Sequence, residues 1–134
     1  MMNGNSAQIV VLVVDDEDSI RRLIRNVLES AGYEVLDASN GHDGLALCQG
    51  HEGAIDILLT DLVMPGMGGH ELVTAALGVR PNLIVLMMSG YSEEAVFDTK
   101  RPASARTAFL QKPFTSKGLQ QKLRLTLASA SAAA

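Results

Sequence analysis

Five short β-rich runs alternate along the chain with segments of helical period. Residues 8–14, 34–38, 55–60, 83–89 and 108–111 are rich in strand formers and have the length of strands. The first, third and fourth are nearly continuous apolar runs, as expected of parallel strands covered on both faces, and the second is expected nearer an edge. Between the first two, Ile20, Leu23, Ile24, Val27, Leu28 and Ala31 recur at i, i+3, i+4, i+7, i+8 and i+11, with Arg21, Arg22, Arg25 and Glu29 opposite. That spacing predicts an amphipathic helix, closed by Gly32 in the left-handed conformation that commonly ends one. Helical segments follow at 42–49, 69–77 and 93–100, and a firmer one at 115–128 carries Leu119, Leu123 and Leu127 on one face. Pro102 and the polar stretch 104–107 interrupt the chain after the fourth segment, which is expected to be mobile. Strand–helix alternation with short links requires right-handed crossovers. The pattern therefore predicts an α/β fold, a (βα)5 doubly wound open parallel sheet that binds ligands at the carboxyl ends of its strands.

Composition narrows the class. A chain of 134 residues with 47% apolar and 19% charged residues is that of one globular domain, expected over 8–128, with a disordered extension at 1–7 and an Ala/Ser tail at 129–134. Lys plus Arg (11) against Asp plus Glu (15) gives a net charge of −4, so no global positive field attracts nucleic acid or anionic lipid. The longest apolar runs, 9–14 and 83–88, fall far short of the roughly 20 residues of a membrane span. The polar N-terminus does not read as a secretory signal, and a cytoplasmic location is expected. Cys48, the single cysteine, excludes an internal disulfide and a multi-cysteine metal site and reads as core filling.

The polar residues that matter sit where strands end. The first strand runs into Asp15-Asp16-Glu17, a pattern that simple helix capping by Asp16 or Asp18 would also explain. The third ends in Asp61, followed by Leu62-Val63-Met64-Pro65-Gly66, and winding places it beside the first. Three close carboxylates repel and need a cation to remain ionised. Oxygen-only ligands favour Mg²⁺, for which Mn²⁺ could substitute, over zinc. The fourth strand ends in Ser89-Gly90-Tyr91 and the fifth leads to Lys112-Pro113-Phe114, adding a hydroxyl and an ammonium. Acids, metal, hydroxyl and lysine at one rim make a pocket that attracts a phosphoryl group.

Asp15-Asp16, Asp61 with Met64-Pro65 and Gly69 after it, Ser89-Gly90, and Lys112-Pro113-Phe114 resemble the receiver domains of response regulators, over residues 8–127. The resemblance implies a flavodoxin-like sheet of strand order 2-1-3-4-5. It implies that Asp61 is the phosphoacceptor, that Asp16, Asp61 and the backbone carbonyl of Val63 bind Mg²⁺ directly, and that Asp15 binds it through water. Lys112 would pair with the acceptor carboxylate or its phosphoryl oxygens, Ser89 would hydrogen-bond the phosphoryl group, and Phe109 would be the switch aromatic. Many relatives carry Thr and Tyr where this chain has Ser89 and Phe109. The Lys112–Pro113 bond resembles the family's cis peptide, which would aim the ammonium into the pocket.

The implied partner is a histidine kinase or a histidine phosphotransfer protein, whose phosphohistidine donates to Asp61. The expected output is a rearranged face formed by the fourth helical segment, the fifth strand and the last helix. The chain is thus expected to be a signalling switch that catalyses only its own phosphorylation and dephosphorylation. Val63 and Tyr91 would flank the route of hydrolytic water, and as both are bulky and neither positions water, slow dephosphorylation is expected. The wording of the segments 89–91 and 109–114 is similar to receivers attached to hybrid sensor kinases and leaves a free-standing regulator equally open. A flavodoxin-type cofactor binder would need a hydroxyl-rich loop where Asp15-Asp16-Glu17 stands, and a haloacid-dehalogenase hydrolase would need an acid at Val63. The alternative is a degenerate receiver that acts as a phosphorylation-independent interaction module. His42, His51 and His70 read as solvated surface.

Overall fold

The computed structural model describes residues 8–90 and 106–133. Within them the chain runs β1 (Val10–Val14), α1 (Asp18–Ser30), β2 (Glu34–Ala38), α2 (Gly41–Gly50), β3 (Ile57–Asp61), α3 (Gly69–Val79), β4 (Ile84–Ser89), β5 (Thr107–Gln111) and α4 (Ser116–Ala133). The five strands form one parallel sheet in the order β2-β1-β3-β4-β5, which puts β2 at an edge and β1, β3 and β4 inside, as their apolar runs predict. The expected helix over 93–100, Tyr91, and the extension 1–7 lie outside the described residues.

Alternation along each strand divides the core into two layers. Val10, Leu12 and Val14 of β1 pack with Leu58, Val85, Met87 and Phe109 against Cys48 of α2 and Leu72, Val73 and Ala76 of α3. Val11 and Val13 turn the other way, with Ile57, Leu59, Leu86 and Met88, against Ile24 and Leu28 of α1 and Leu119 and Leu123 of α4. Cys48 is buried as expected, and burial pushes its thiol pKa up, against a lesser pull from nearby Arg80.

Element ends follow hydrogen bonds that apolar patterning cannot register. β3 starts at Ile57 because Asp56 spends its carboxylate on the Val10 N–H (2.8 Å) while its own N–H donates to the Val10 carbonyl (2.9 Å). α1 closes in a Schellman arrangement: Gly32, at φ +97°, donates to Glu29 O and Tyr33 donates to Leu28 O. α2 starts under Asn40, whose side chain accepts from the Asp43 N–H at 2.8 Å. α4 continues five residues beyond the expected end at Ala128, because Ala sustains a helix without any apolar period.

The far end of α2 is held by a residue from α3's end. Arg80 donates from Nε to Cys48 O (2.9 Å), from Nη2 to His51 O (2.8 Å) and from Nη1 to Gly53 O (2.9 Å). One guanidinium therefore satisfies three carbonyls at a helix C-terminus, where positive charge is favoured. Arg80→Ala is expected to lower stability by about 2 kcal/mol, the scale of losing charge-assisted bonds at a partly buried site. Urea denaturation checks this as a fall in midpoint at unchanged slope.

Candidate functional site

Strand register assembles the site. Val14 of β1 pairs with Thr60 of β3, so the chains continue side by side into Asp15 and Asp61. Asp61 pairs with Met88, the residue before Ser89, and Ser89 pairs with Gln111, the residue before Lys112. The backbone carries the ladder past the strand ends, with Leu62 N donating to Met88 O (2.9 Å) and Lys112 N to Ser89 O (2.8 Å). All the rim residues thus stand at carboxyl ends of neighbouring strands, the side on which open α/β sheets bind ligands.

Asp15, Asp16 and Asp61 each offer a carboxylate oxygen within 4.8 Å of the others. Asp15 and Asp61 are buried and Asp16 is exposed. Lys112 Nζ lies 3.1 Å from Asp15 Oδ2 and 3.4 Å from Asp61 Oδ2, and the Lys112–Pro113 peptide is cis. Every polar group of Asp15 is engaged: its N–H donates to Ala38 O (3.2 Å), its carbonyl accepts from Arg21 Nη1 (2.8 Å), Oδ1 accepts from Glu17 N (2.9 Å), and Oδ2 takes Lys112. The N-cap of α1 is Glu17, which makes no side-chain capping bond, so the acidic turn does not serve as a cap by Asp16 or Asp18.

Charge and burial oppose each other here. Burial, the largest influence, pushes the Asp61 carboxyl above the usual carboxylate range; Lys112 pulls it down, Asp15 pushes it up, and hydrogen bonds from Lys112 and the Val63 backbone N–H draw it down again. For Lys112 burial acts to lower the pKa, but the hydrogen bond and charge of Asp15, then the charge and hydrogen bond of Asp61, outweigh it and hold the ammonium above its ordinary value. Three carboxylates against one ammonium leave the rim negative. An all-oxygen donor set of this kind suits a hard divalent cation.

Around the acids, Val63 is 64% exposed at the mouth, and Ser89 is buried at the end of β4. Phe109 is buried in the layer of α2 and α3, on the same sheet face as its β4 partner Met87. Gly69 opens α3 against the backbone that follows Asp61: a Cβ there would stand 2.5 Å from the Asp61 carbonyl oxygen and 2.7 Å from Leu62 Cα. His42 and His70 are exposed and His51 is half-buried, and the cluster of potential metal ligands consists of Asp15, Asp16 and Asp61 alone among the described residues. The sequence reading missed Arg21, which it placed on the solvent side of α1 although the residue turns back onto Asp15.

The family model for the response regulator receiver domain matches residues 11–124. The sensor kinase CckA of Brucella abortus is 38% identical over 114 residues, which are 85% of this chain and 12% of CckA, so the chain spans about an eighth of that relative. The response regulator receiver protein CpdR of the same organism is 33% identical over 121 residues, 90% of this chain and 98% of CpdR. The solved structure of the chemotaxis protein CheY4 from Vibrio cholerae superimposes with a TM-score of 0.77 at 33% identity, covering 88% of this chain and 98% of that one. The match runs from the first strand into the last helix and takes in the acids, the lysine and the 2-1-3-4-5 sheet that gathers them: the chain belongs to the response regulator receiver domain family.

Proposed function

We propose that the chain is the phosphoacceptor of a two-component phosphorelay, with Asp61 as the residue that takes the phosphoryl group. The observation that carries this reading is the meeting of Asp61 with Lys112 and two further carboxylates at the rim. Mg²⁺, or Mn²⁺ in its place, fits the donor set, with Asp16, Asp61 and the Val63 carbonyl as direct ligands and Asp15 acting through water. Bound there, it neutralises charge on the phosphoryl oxygens.

The chain's own residues do the rest. An Asp61 oxygen attacks phosphorus in line as the phosphorus–nitrogen bond of a phosphohistidine breaks, and Lys112 holds the equatorial oxygens. The donor is a histidine kinase or a histidine phosphotransfer protein, in keeping with a relative named as a sensor kinase and another named as a sporulation initiation phosphotransferase. An apolar recess of about 380 Å³ lined by Ile20, Leu23, Gly90, Lys112, Pro113 and Phe114 adjoins the lysine and gives such a donor a surface to meet. Receiver domains are signalling switches, and this one catalyses only its own phosphorylation and dephosphorylation.

In the switch we assign, Ser89 grips the phosphoryl group and draws the end of β4 inward, biasing an existing equilibrium of the face that includes β5 and α4. Phe109, the switch aromatic of the resemblance, lies inward at 5% exposure. The signal then changes how firmly that position is held. The helical part of this face at 93–100 lies outside the described residues. Among those described, no helix is long and apolar enough to cross a membrane.

Val63 shields the acyl phosphate from water together with Tyr91, so Tyr91→Ala is expected to shorten its lifetime; following loss of phosphate from the purified phosphoprotein checks this. The function itself is tested by intact mass after incubation with phosphoramidate, with and without Mg²⁺. A metal-dependent gain of one phosphoryl group is expected. No gain under either condition would leave a phosphorylation-independent interaction module.

A further inference from the structure

We propose that Arg21 is a positioning residue: by holding the carbonyl of Asp15 it fixes the turn that presents Asp15 and Asp16, and so sets the affinity of the acidic rim for a divalent cation. This rests on the reading of that rim as a Mg²⁺ site. Arg21 lies in the first turn of α1 with its side chain only 17% exposed. Its guanidinium is used on three sides. Nη1 donates to Asp15 O at 2.8 Å, Nη2 to Asp18 Oδ1 at 2.6 Å, and Nε faces Asp37 Oδ2 at 3.4 Å. Asp37 is itself braced by Arg25 Nη1 at 3.2 Å, and Arg25 by Glu29, so the fork is anchored to α1 and β2 together.

The bond to Asp15 matters because of what the carbonyl is attached to. A peptide unit is planar, so fixing the Asp15 carbonyl fixes the N–H and Cα of Asp16 with it. Asp15 is also held through its side chain, by Glu17 N and Lys112 Nζ. Asp16 is exposed, and its direction is set through the backbone. Outer partners that orient ligands without touching the metal commonly change affinity by 10- to 100-fold when removed.

The sign of the effect separates positioning from charge. A guanidinium near a cation site repels the cation, so on electrostatics alone its removal tightens binding. Loss of positioning weakens it. Arg21→Lys keeps the charge but lacks the planar fork that reaches three acceptors at once, so it too is expected to weaken binding. Arg22→Gln removes a charge of the same sign from the neighbouring, exposed position of α1 and leaves the Asp15 carbonyl bond intact.

The experiment is titration of wild type, Arg21→Gln, Arg21→Lys, Arg22→Gln and Asp16→Asn with MgCl₂, followed by backbone amide shifts at a temperature where all are folded. Shifts report the folded population alone, so lost stability does not imitate lost affinity. About tenfold weaker binding in Arg21→Gln, a smaller loss in Arg21→Lys and wild-type binding in Arg22→Gln are expected. Arg21→Gln binding as tightly as wild type, or more tightly, would overturn the proposal while the metal reading stands. Wild type and Asp16→Asn responding alike, with no saturable binding, would overturn the metal reading and this inference with it.

Discussion

Asp61→Asn is expected to gain no phosphoryl group from phosphoramidate at any Mg²⁺ concentration, and to be more stable than wild type at neutral pH in the absence of metal. The first effect removes the attacking oxygen and is all or none, read by intact mass. The second follows from the direction of the Asp61 pKa. Burial raises it above the unfolded value despite Lys112, so the folded chain binds this proton more tightly than the unfolded one. Stability from such a group is present in full below the unfolded pKa of about 3.9 and is lost as pH rises through the folded pKa. Wild type at neutral pH carries that loss and the amide does not. Thermal melts should separate the two proteins at pH 7 and bring them together near pH 3. A variant less stable at pH 7 would mean that the Lys112–Asp61 attraction outweighs desolvation. Mg²⁺ should narrow the gap by stabilising wild type, about 2.7 kcal/mol at a hundred times its dissociation constant.

Gly69→Ala should lower stability by roughly 3 kcal/mol, the upper end of what forced overpacking costs. The atoms a Cβ would meet at 2.5 Å and 2.7 Å are the Asp61 carbonyl oxygen and Leu62 Cα, both backbone, and neither can rotate aside. Relief must move either α3 or the peptide after the acceptor, so slower phosphorylation should accompany the loss. Gly68→Ala is the control: its Cβ would meet only the Leu62 carbonyl oxygen at an ordinary 3.5 Å, and as a helix N-cap it should cost less than about 1 kcal/mol. Urea denaturation with equal slopes for the three proteins would compare them directly. Equal midpoints for the two variants would show that α3 slides away from β3 at little cost.

Strand positions were legible because a parallel strand buried on both faces leaves an apolar run, and the rim acids were legible because each such run stops at a polar residue. The second strand, over 34–38, coincides with its expected bounds, whereas the third, expected over 55–60, starts two residues later, after Asp56 turns its carboxylate to Val10, and runs one residue further, to Asp61. Arg21 and Arg80 were not legible in their roles. A polar residue on the outer side of a helix satisfies the same period whether it reaches into water or folds back to a carbonyl, and long Arg side chains do either. The extension of α4 past Ala128 escaped for the complementary reason, since Ala and Ser sustain a helix while writing no stripe. Phe109 was singled out only through the family resemblance, and the inward direction it takes depends on space that no local pattern encodes.

The division of the core by the sheet bears on how such a chain can change over generations. Among the described residues, Ile24, Leu28, Leu119 and Leu123 belong to one buried cluster and Cys48, Leu72, Val73 and Ala76 to the other, with the strands between them. Substitutions in opposite layers should therefore combine nearly additively, whereas those within a layer are coupled. By alternation Asp61 continues the strand positions that face α1 and α4, and Ser89 those that face α2 and α3. The layer beneath Asp61 and the layer beneath Ser89 can thus drift as separate modules, each repacking without disturbing the other.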